Sequence, residues 1–324
     1  MCTAIKYVSD DFYFGRTLDN DCAFGEEVVV VPRRFSFKTK HMGEIQTHHA
    51  IIGVATVQEG MPLFYDGCNE KGLAMAGLNF VGNAHYFKCA LGKDNVASFE
   101  FIPWILGRCA TVKEAKAALK KINIVDTPFN DKFPNGQLHW MIADKDSAIV
   151  VESEADGLHV YDNDVGVLTN NPPFTVQRFC LNNYMSVSPR PPKNGFSSKL
   201  KLDKYSRGMG ALGLPGDLSS GSRFVRAAYT LLNSPACATH EESVSQFFHI
   251  LGAVEMTRGS CVMDNGEHET TIYTSCCDAT RGIYYYTAYN NHRITGVDMH
   301  KADLDGEALV RFPMIKTEDF LLQN

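Results

Sequence analysis

No stretch of this chain approaches the roughly 18 consecutive apolar residues that a membrane-spanning helix needs. The N-terminus also lacks a charged-then-apolar leader, since "MCTAIKYVSDDFYFGR" turns acidic by Asp10. Both absences lead to the expectation of a cytoplasmic protein without a membrane partner. No C-x-x-C occurs, and His48 and His49 are adjacent rather than four apart, so no zinc-ligand spacing is present. The ten cysteines are scattered, and a chain of 324 residues buries enough surface not to depend on disulfide staples. Basic clusters are short ("PRRF", "KLKLDK") and have no interleaved aromatics. With a formal charge of -6, this argues against a nucleic-acid partner. Repeats and low-complexity segments are absent too.

What is present reads as α+β. "TAIKYV", "FYFGR", "EEVVVVP", "AIIGVATV" and "LAMAGLNF" are strand-like runs bounded by Gly, Pro, Asp or Asn. "FEFIPWILGRCA" and "TVKEAKAALKKI" read as helices, the second with Thr111 and Glu114 in capping-box spacing. Strands follow in "LHWMIAD", "AIVVES", "GLHVYD" and "VGVLTN", then helices in "SRFVRAAYTLL" and "ESVSQFFHILGAVEM". Three more strands end the pattern: "TTIYTSCCD", "GIYYYTAY" and "RITGVDM". The stretch from Ser186 to Gly221 is Pro- and Gly-rich with little periodicity. Ordered elements resume on both sides of it, so one domain over 1–324 with a large surface excursion is expected.

Cys2 raises the chemical question. Trimming of Met1 exposes a residue that carries a thiol and a free α-amine together. The amine, with a pKa of about 7.7–8.0, is matched to accept the thiol proton, whose reference value is about 8.5. That is the logic of an N-terminal nucleophile enzyme. Such an enzyme also needs a cation near sulfur, donors for an oxyanion and a carboxylate to orient the amine. Taken alone, a cysteine opening a strand is a small buried hydrophobe. Arg16 and Asp19 in "FGRTLDND" read as a salt bridge, and Asn79 and Asn170 as turn residues ending strands. Arg223 opens a helix, where a cation opposes the macrodipole unless it serves something else. Cys68 in "DGCNEKG" reads as a tight-turn position, with a Cys68–His139 hydrolase pair as the alternative.

Taken together, "MCTAIKY", "FGRTLD", "DGCNEKGLAMAGLNF", "NIVDTPF…LHWMIAD", "GVLTNNPPF", "GLPGDLSSGSRFVRAA", "FFHIL", "YTSC" and "GIYYYTAYNN" resemble the choloylglycine hydrolases. These are the bile salt hydrolase and penicillin V acylase group of N-terminal nucleophile hydrolases. The resemblance runs from Cys2 to about Asp305 and is weakest from Ser186 to Lys204. It implies a four-layer αββα fold, with two antiparallel sheets between helical layers, and hydrolysis of a non-peptide C–N amide bond by a homotetramer. By the same resemblance, Cys2 is the nucleophile and its α-amine the base once Met1 is removed. Arg16 favours the thiolate and Asp19 positions the amine and thiol. Asn79 (backbone N–H) and Asn170 (side-chain amide) form the oxyanion hole, and Arg223 supports the nucleophile. No metal or organic cofactor is implied. Asn79 favours conjugated bile acids as substrate, since several penicillin acylases resemble this position with tyrosine. The implied acyl pocket holds Leu18, Phe129, Phe133 and Leu138, with Cys22, Phe24 and Tyr65 nearby. Phe129 and Phe133 replace smaller aliphatics of some members. Penicillin V or acyl-homoserine lactone acylase, and an idle binding protein on the same fold, are the competing readings.

Overall fold

Five residues, Glu27–Val31, show how the chain builds its layers. Val28 and Val30 pack into one core and Val29 and Val31 into another, all fully buried. Successive side chains of a strand point to opposite faces, so an unbroken valine run belongs to a sheet covered on both sides. The computed structural model describes residues 1–324.

In chain order, β1 (Cys2–Val8) and β2 (Phe12–Asn20) form a hairpin and β3 (Glu27–Val31) follows. A short pair, β4 (Phe37–Lys38) and β5 (Glu44–Ile45), precedes β6 (Ile51–Gln58), β7 (Met61–Asn69) and β8 (Ala74–Asn79). Then come β9 (Asp94–Ala97), α1 (Phe101–Arg108), α2 (Val112–Leu119) and β10 (Ile122–Val125). A second run of strands holds β11 (Leu138–Ala143), β12 (Ala148–Glu154), β13 (Gly157–Asp162) and β14 (Val167–Leu168). The helices α3 (Phe174–Cys180), α4 (Ser220–Leu232) and α5 (His240–Gly252) follow, then β15 (Thr270–Asp278), β16 (Ile283–Ala288), β17 (Asn291–Asp298) and β18 (Val310–Pro313). Thr111 caps α2 by accepting the Glu114 N–H at 3.2 Å, and Thr239 caps α5 by accepting the Glu242 N–H at 3.1 Å.

Six strands form one sheet in the order β14-β1-β2-β15-β16-β17. Eight form the other, β13-β12-β11-β8-β7-β6-β3-β18. Their neighbours pair antiparallel. Helices α4 and α5 pack on the outer face of the smaller sheet, against β1 and β15, and α1 packs on the outer face of the larger, against β7 and β8. This is the αββα layering expected. Parity assigns each residue its layer. In β8, Ala74, Ala76 and Leu78 face the other sheet while Met75 faces the α1 layer. In β11, Met141 and Ala143 face inward between the sheets, and Trp140 and Ile142 face outward.

Two expectations are corrected. Cys68 does not sit in a turn. The turn falls later, where Gly72, at φ +88°, donates to the Asn69 carbonyl at 3.0 Å. Cys68 stays on β7, fully buried, and forms a disulfide with Cys277 of β15. The chain therefore carries a disulfide that its size does not require. Both residues face the inter-sheet layer with Cα atoms 6.8 Å apart, within bridging reach. The segment before α4 is largely irregular and exposed, pinned where Ser188 N–H donates to the Gly210 carbonyl at 2.8 Å. A Cβ at Gly210 would lie 1.9 Å from the Arg190 carbonyl oxygen, so only glycine fits there.

Candidate active site

Cys2 opens β1 and is 2% exposed. It stands opposite Leu18 in the β1–β2 register, and Ala4 stands opposite Arg16. Residues of even number on the two strands therefore share a face, and Arg16 reaches Cys2 diagonally: its Nη2 contacts the Cys2 Sγ. The rest of the Arg16 guanidinium is held by carbonyl oxygens of Thr17 (3.2 Å), Tyr65 (3.3 Å) and Gly77. Burial opposes a charge on Arg16, yet the facing Cys2, Tyr273, Asp66 and Asp19 together raise its pKa. The guanidinium is a fixed, fully buried cation beside sulfur.

Asp19 lies three residues from Arg16, so on a strand it points to the opposite face. The salt bridge read between these two residues does not form. The Asp19 carboxylate instead faces the α4 side of the sheet. It accepts from Thr17 Oγ1 (3.1 Å) and Thr271 Oγ1 (2.6 Å). A register shift between Thr271 and Tyr273 in β15 brings Thr271 opposite Asp19. Burial pushes the Asp19 carboxyl up, against the pull of Arg223 and the N-terminal ammonium. Its backbone holds Met1 from both sides: Asp19 N–H donates to the Met1 carbonyl at 2.8 Å, and Asp19 O accepts from the Met1 ammonium at 2.6 Å. Glu269 also accepts from that ammonium. Sequence reasoning had no signal for Glu269 or Thr271, which reach the site only through the pairing of β2 with β15.

Arg223 enters from α4, fully buried. It donates to Cys2 O (2.5 Å), Thr3 Oγ1 (2.6 Å), Leu218 O (3.0 Å) and Asn170 Oδ1 (2.7 Å). It therefore braces the backbone of Cys2 rather than its sulfur, which explains a cation in the first turns of a helix. Asn170 Oδ1 also accepts the Cys2 N–H at 2.8 Å, and its Nδ2 donates to the Asn79 carbonyl at 2.8 Å. Asn79 stands opposite Leu138, and the next residue, Phe80, donates its N–H to Gln137 O at 2.7 Å. In an antiparallel ladder the N–H of Asn79 then points away from β11. The β7–β8 pairing stops at Ala76, so that N–H lies beyond it.

A cavity of about 280 Å³ opens beside Cys2. Its wall includes Leu18, Phe24, Tyr65, Phe129, Phe133 and Leu138, all of the acyl-pocket residues expected except Cys22. Cys22 is exposed and outside the lining, because it lies past the end of β2. Leu63, Phe64, Phe99 and Ile102 line the cavity as well. The last two belong to the run read as a packed helix, whose apolarity does not distinguish core from cavity wall. Burial pushes the Tyr65 hydroxyl up to about 12, so it stays a neutral donor there. His139 is paired with Glu152, not Cys68. No helix is long and apolar enough to cross a membrane.

Comparison with known proteins identifies the family. Residues 2–312 match the model of the linear amide C–N hydrolases, choloylglycine hydrolase family. A bile salt hydrolase/transferase of Lactiplantibacillus plantarum is 50% identical over 314 residues, 97% of each chain. One of Clostridium perfringens is 38% identical over 324 residues, 98% of each chain. The crystal structure of the C2A mutant of the conjugated bile acid hydrolase from Clostridium perfringens has a TM-score of 0.92 at 37% identity, covering 100% of both chains. The penicillin V acylase from Agrobacterium tumefaciens has a TM-score of 0.76 at 21% identity, over 96% of this chain and 91% of its own, and shares the fold. The chain belongs to the choloylglycine hydrolase family, enzymes that hydrolyse linear amide C–N bonds.

Proposed function

We propose that this protein is a bile salt hydrolase that cleaves the amide bond of glycine- and taurine-conjugated bile acids. The observation that carries the reading is a thiol contacted by a buried guanidinium at the wall of an apolar cavity. An apolar wall suits a steroid acyl group, and a few convergent polar groups fix its carbonyl. The names of relatives at 50% and 38% identity support the same substrate class.

In this reading 1–324 is one domain and Met1 is removed, leaving the Cys2 α-amine where the Met1–Cys2 amide now stands. The amine takes the thiol proton, and Arg16 stabilises the thiolate. Sulfur attacks the amide carbonyl, a C–S bond forms, and the oxygen takes the negative charge. Asn79 N–H and Asn170 Nδ2 hold that oxygen. Collapse breaks the C–N bond, and the protonated amine gives its proton to the departing nitrogen. Water then adds to the thioester, releasing the bile acid and restoring the thiol. Arg223 holds the Cys2 carbonyl during both steps, and Asp19, whose backbone now holds Met1, positions the amine once Met1 is gone. We assign the enzyme to the cytoplasm and to a homotetramer, with the exposed Phe196 and Tyr205 of the long loop, each 82% exposed, as contact residues. Sedimentation of the Phe196→Ser variant as a smaller species would support that contact.

The test is release of free glycine and taurine from glycocholate and taurocholate, with Cys2→Ala alongside. Release by wild type alone supports the reading. No release by wild type, with Met1 shown absent by mass, refutes it and turns the search to penicillin V and acyl-homoserine lactones.

A further inference from the structure

His139 of β11 and Glu152 of β12 are fully buried between the sheets and line no part of the cavity. No step above uses them. His139 Nε2 lies 2.8 Å from the Thr169 carbonyl oxygen. A carbonyl only accepts, so Nε2 carries a hydrogen. Nδ1 lies 3.0 Å from Glu152 Oε1, and that oxygen also accepts the Phe174 N–H at 3.0 Å. Thr169 and Phe174 are the two ends of the short segment that presents Asn170. The imidazole also stacks on Phe80, with centroids 4.3 Å apart and planes 5° from parallel. Phe80 directly follows Asn79. One buried pair thus touches the chain neighbours of both asparagines.

The pair is chemically costly where it lies. Glu152 Oε2 is buried without a hydrogen-bond partner. A carboxylate so placed is tolerated when a partner balances its charge. A proton between Nδ1 and Oε1 does so, while Nε2–H serves Thr169. Packing alone would be met by an apolar pair of the same volume.

We propose that the His139–Glu152 pair is a positioning device for the oxyanion site. It fixes both ends of the Asn170 segment and the residue beside Asn79, and so sets the distance between the two donors. The inference rests on the oxyanion roles given to those asparagines.

The test compares glycocholate turnover with the rate of Cys2 alkylation by iodoacetamide. Alkylation forms no oxyanion, so a positioning role leaves it alone, whereas general disruption of the site slows both. His139→Phe keeps the stack on Phe80 and loses the donor. It is expected to lower kcat by about 10²-fold, the scale of a donor misplaced by about 1 Å. KM and the alkylation rate should stay within about twofold. His139→Gln keeps an N–H for the Thr169 carbonyl and should recover most of kcat. Glu152→Gln should lose kcat with the same split. The proposal is overturned by kcat near wild type in His139→Phe, or by kcat and alkylation falling together. Should His139→Phe not fold, Glu152→Gln decides by the same two readings. Wild-type turnover itself tests the functional reading, and the variant-to-wild-type ratio tests this one.

Discussion

Asn170 does two jobs with its two side-chain atoms, and substitution can separate them. Oδ1 accepts from the Cys2 N–H and Arg223 Nη2, while Nδ2 donates one hydrogen to the Asn79 carbonyl and in the proposed mechanism offers the other to the oxyanion. Asn170→Asp keeps the acceptor and deletes the donor. Losing one oxyanion donor costs about 10²–10³ in kcat, or roughly 3–4 kcal/mol of transition-state stabilisation. A carboxylate facing the developing oxyanion adds repulsion, so the upper end is expected; its new oxygen also faces the Asn79 carbonyl that Nδ2 served, so stability falls by about 1–3 kcal/mol as well. Asn170→Ala deletes both sides. It leaves two buried donors unpaired at about 1–3 kcal/mol each, which predicts a stability loss of roughly 2–6 kcal/mol besides the loss of kcat. Glycine release from glycocholate reads kcat, and urea unfolding reads stability. Asn170→Asp with kcat within about threefold of wild type, or Asn170→Ala as stable as wild type, refutes the reasoning.

Four further outcomes are expected. Cys2→Ser should lose nearly all turnover, because a hydroxyl is a far weaker nucleophile in the same place; near-normal turnover in glycocholate assays contradicts the mechanism. Gly15→Ala should destabilise by about 1–3 kcal/mol or more, since its Cβ would lie 2.0 Å from the Ser275 carbonyl oxygen across the β2–β15 pair; an unchanged melting temperature argues against that contact. Hydrogen bonds from Arg33 hold the Glu70 carboxyl down to about 2 from its ordinary 4.5. Its folded value lies below its unfolded one, so its stabilisation is full above about pH 4.5 and is lost as pH falls toward 2. The stability gap between wild type and Glu70→Gln should close over that window, and a gap that widens on acidification contradicts the assignment. Phe133→Ala should raise KM for glycocholate with little change in kcat, since this ring lines the cavity wall proposed to take the acyl group; a kcat loss at constant KM points to a different pose.

Local pattern made much of the architecture legible. Strand runs in "EEVVVVP", "LAMAGLNF" and "LHWMIAD" fall where β3, β8 and β11 lie, and the Thr111 cap begins α2 as its spacing indicates. Short-range sterics and alternation carry those signals. Other features escaped for the same reason. The run "MPLFYDGCN" mixes Pro, Gly and Asp and is not among the strand-like runs, its end around Cys68 reading as a turn, yet it is held as β7 by neighbours on both sides. Tertiary packing overrides weak propensity there.

The site divides along the same line. Sequence alone placed Cys2 at a strand start, whereas the salt bridge read between Arg16 and Asp19 passes over the period-two alternation that sends them to opposite layers. The sequence also carried the family motifs that mark Asn79, Asn170 and Arg223. Only the tertiary structure decided that Arg223 grips the Cys2 carbonyl, that Thr271 and not Arg16 partners Asp19, and that His139 meets Glu152 instead of Cys68. Those contacts join residues as far apart as 252 positions in the chain. They depend on which strands lie side by side and in what register, and no local periodicity contains that information.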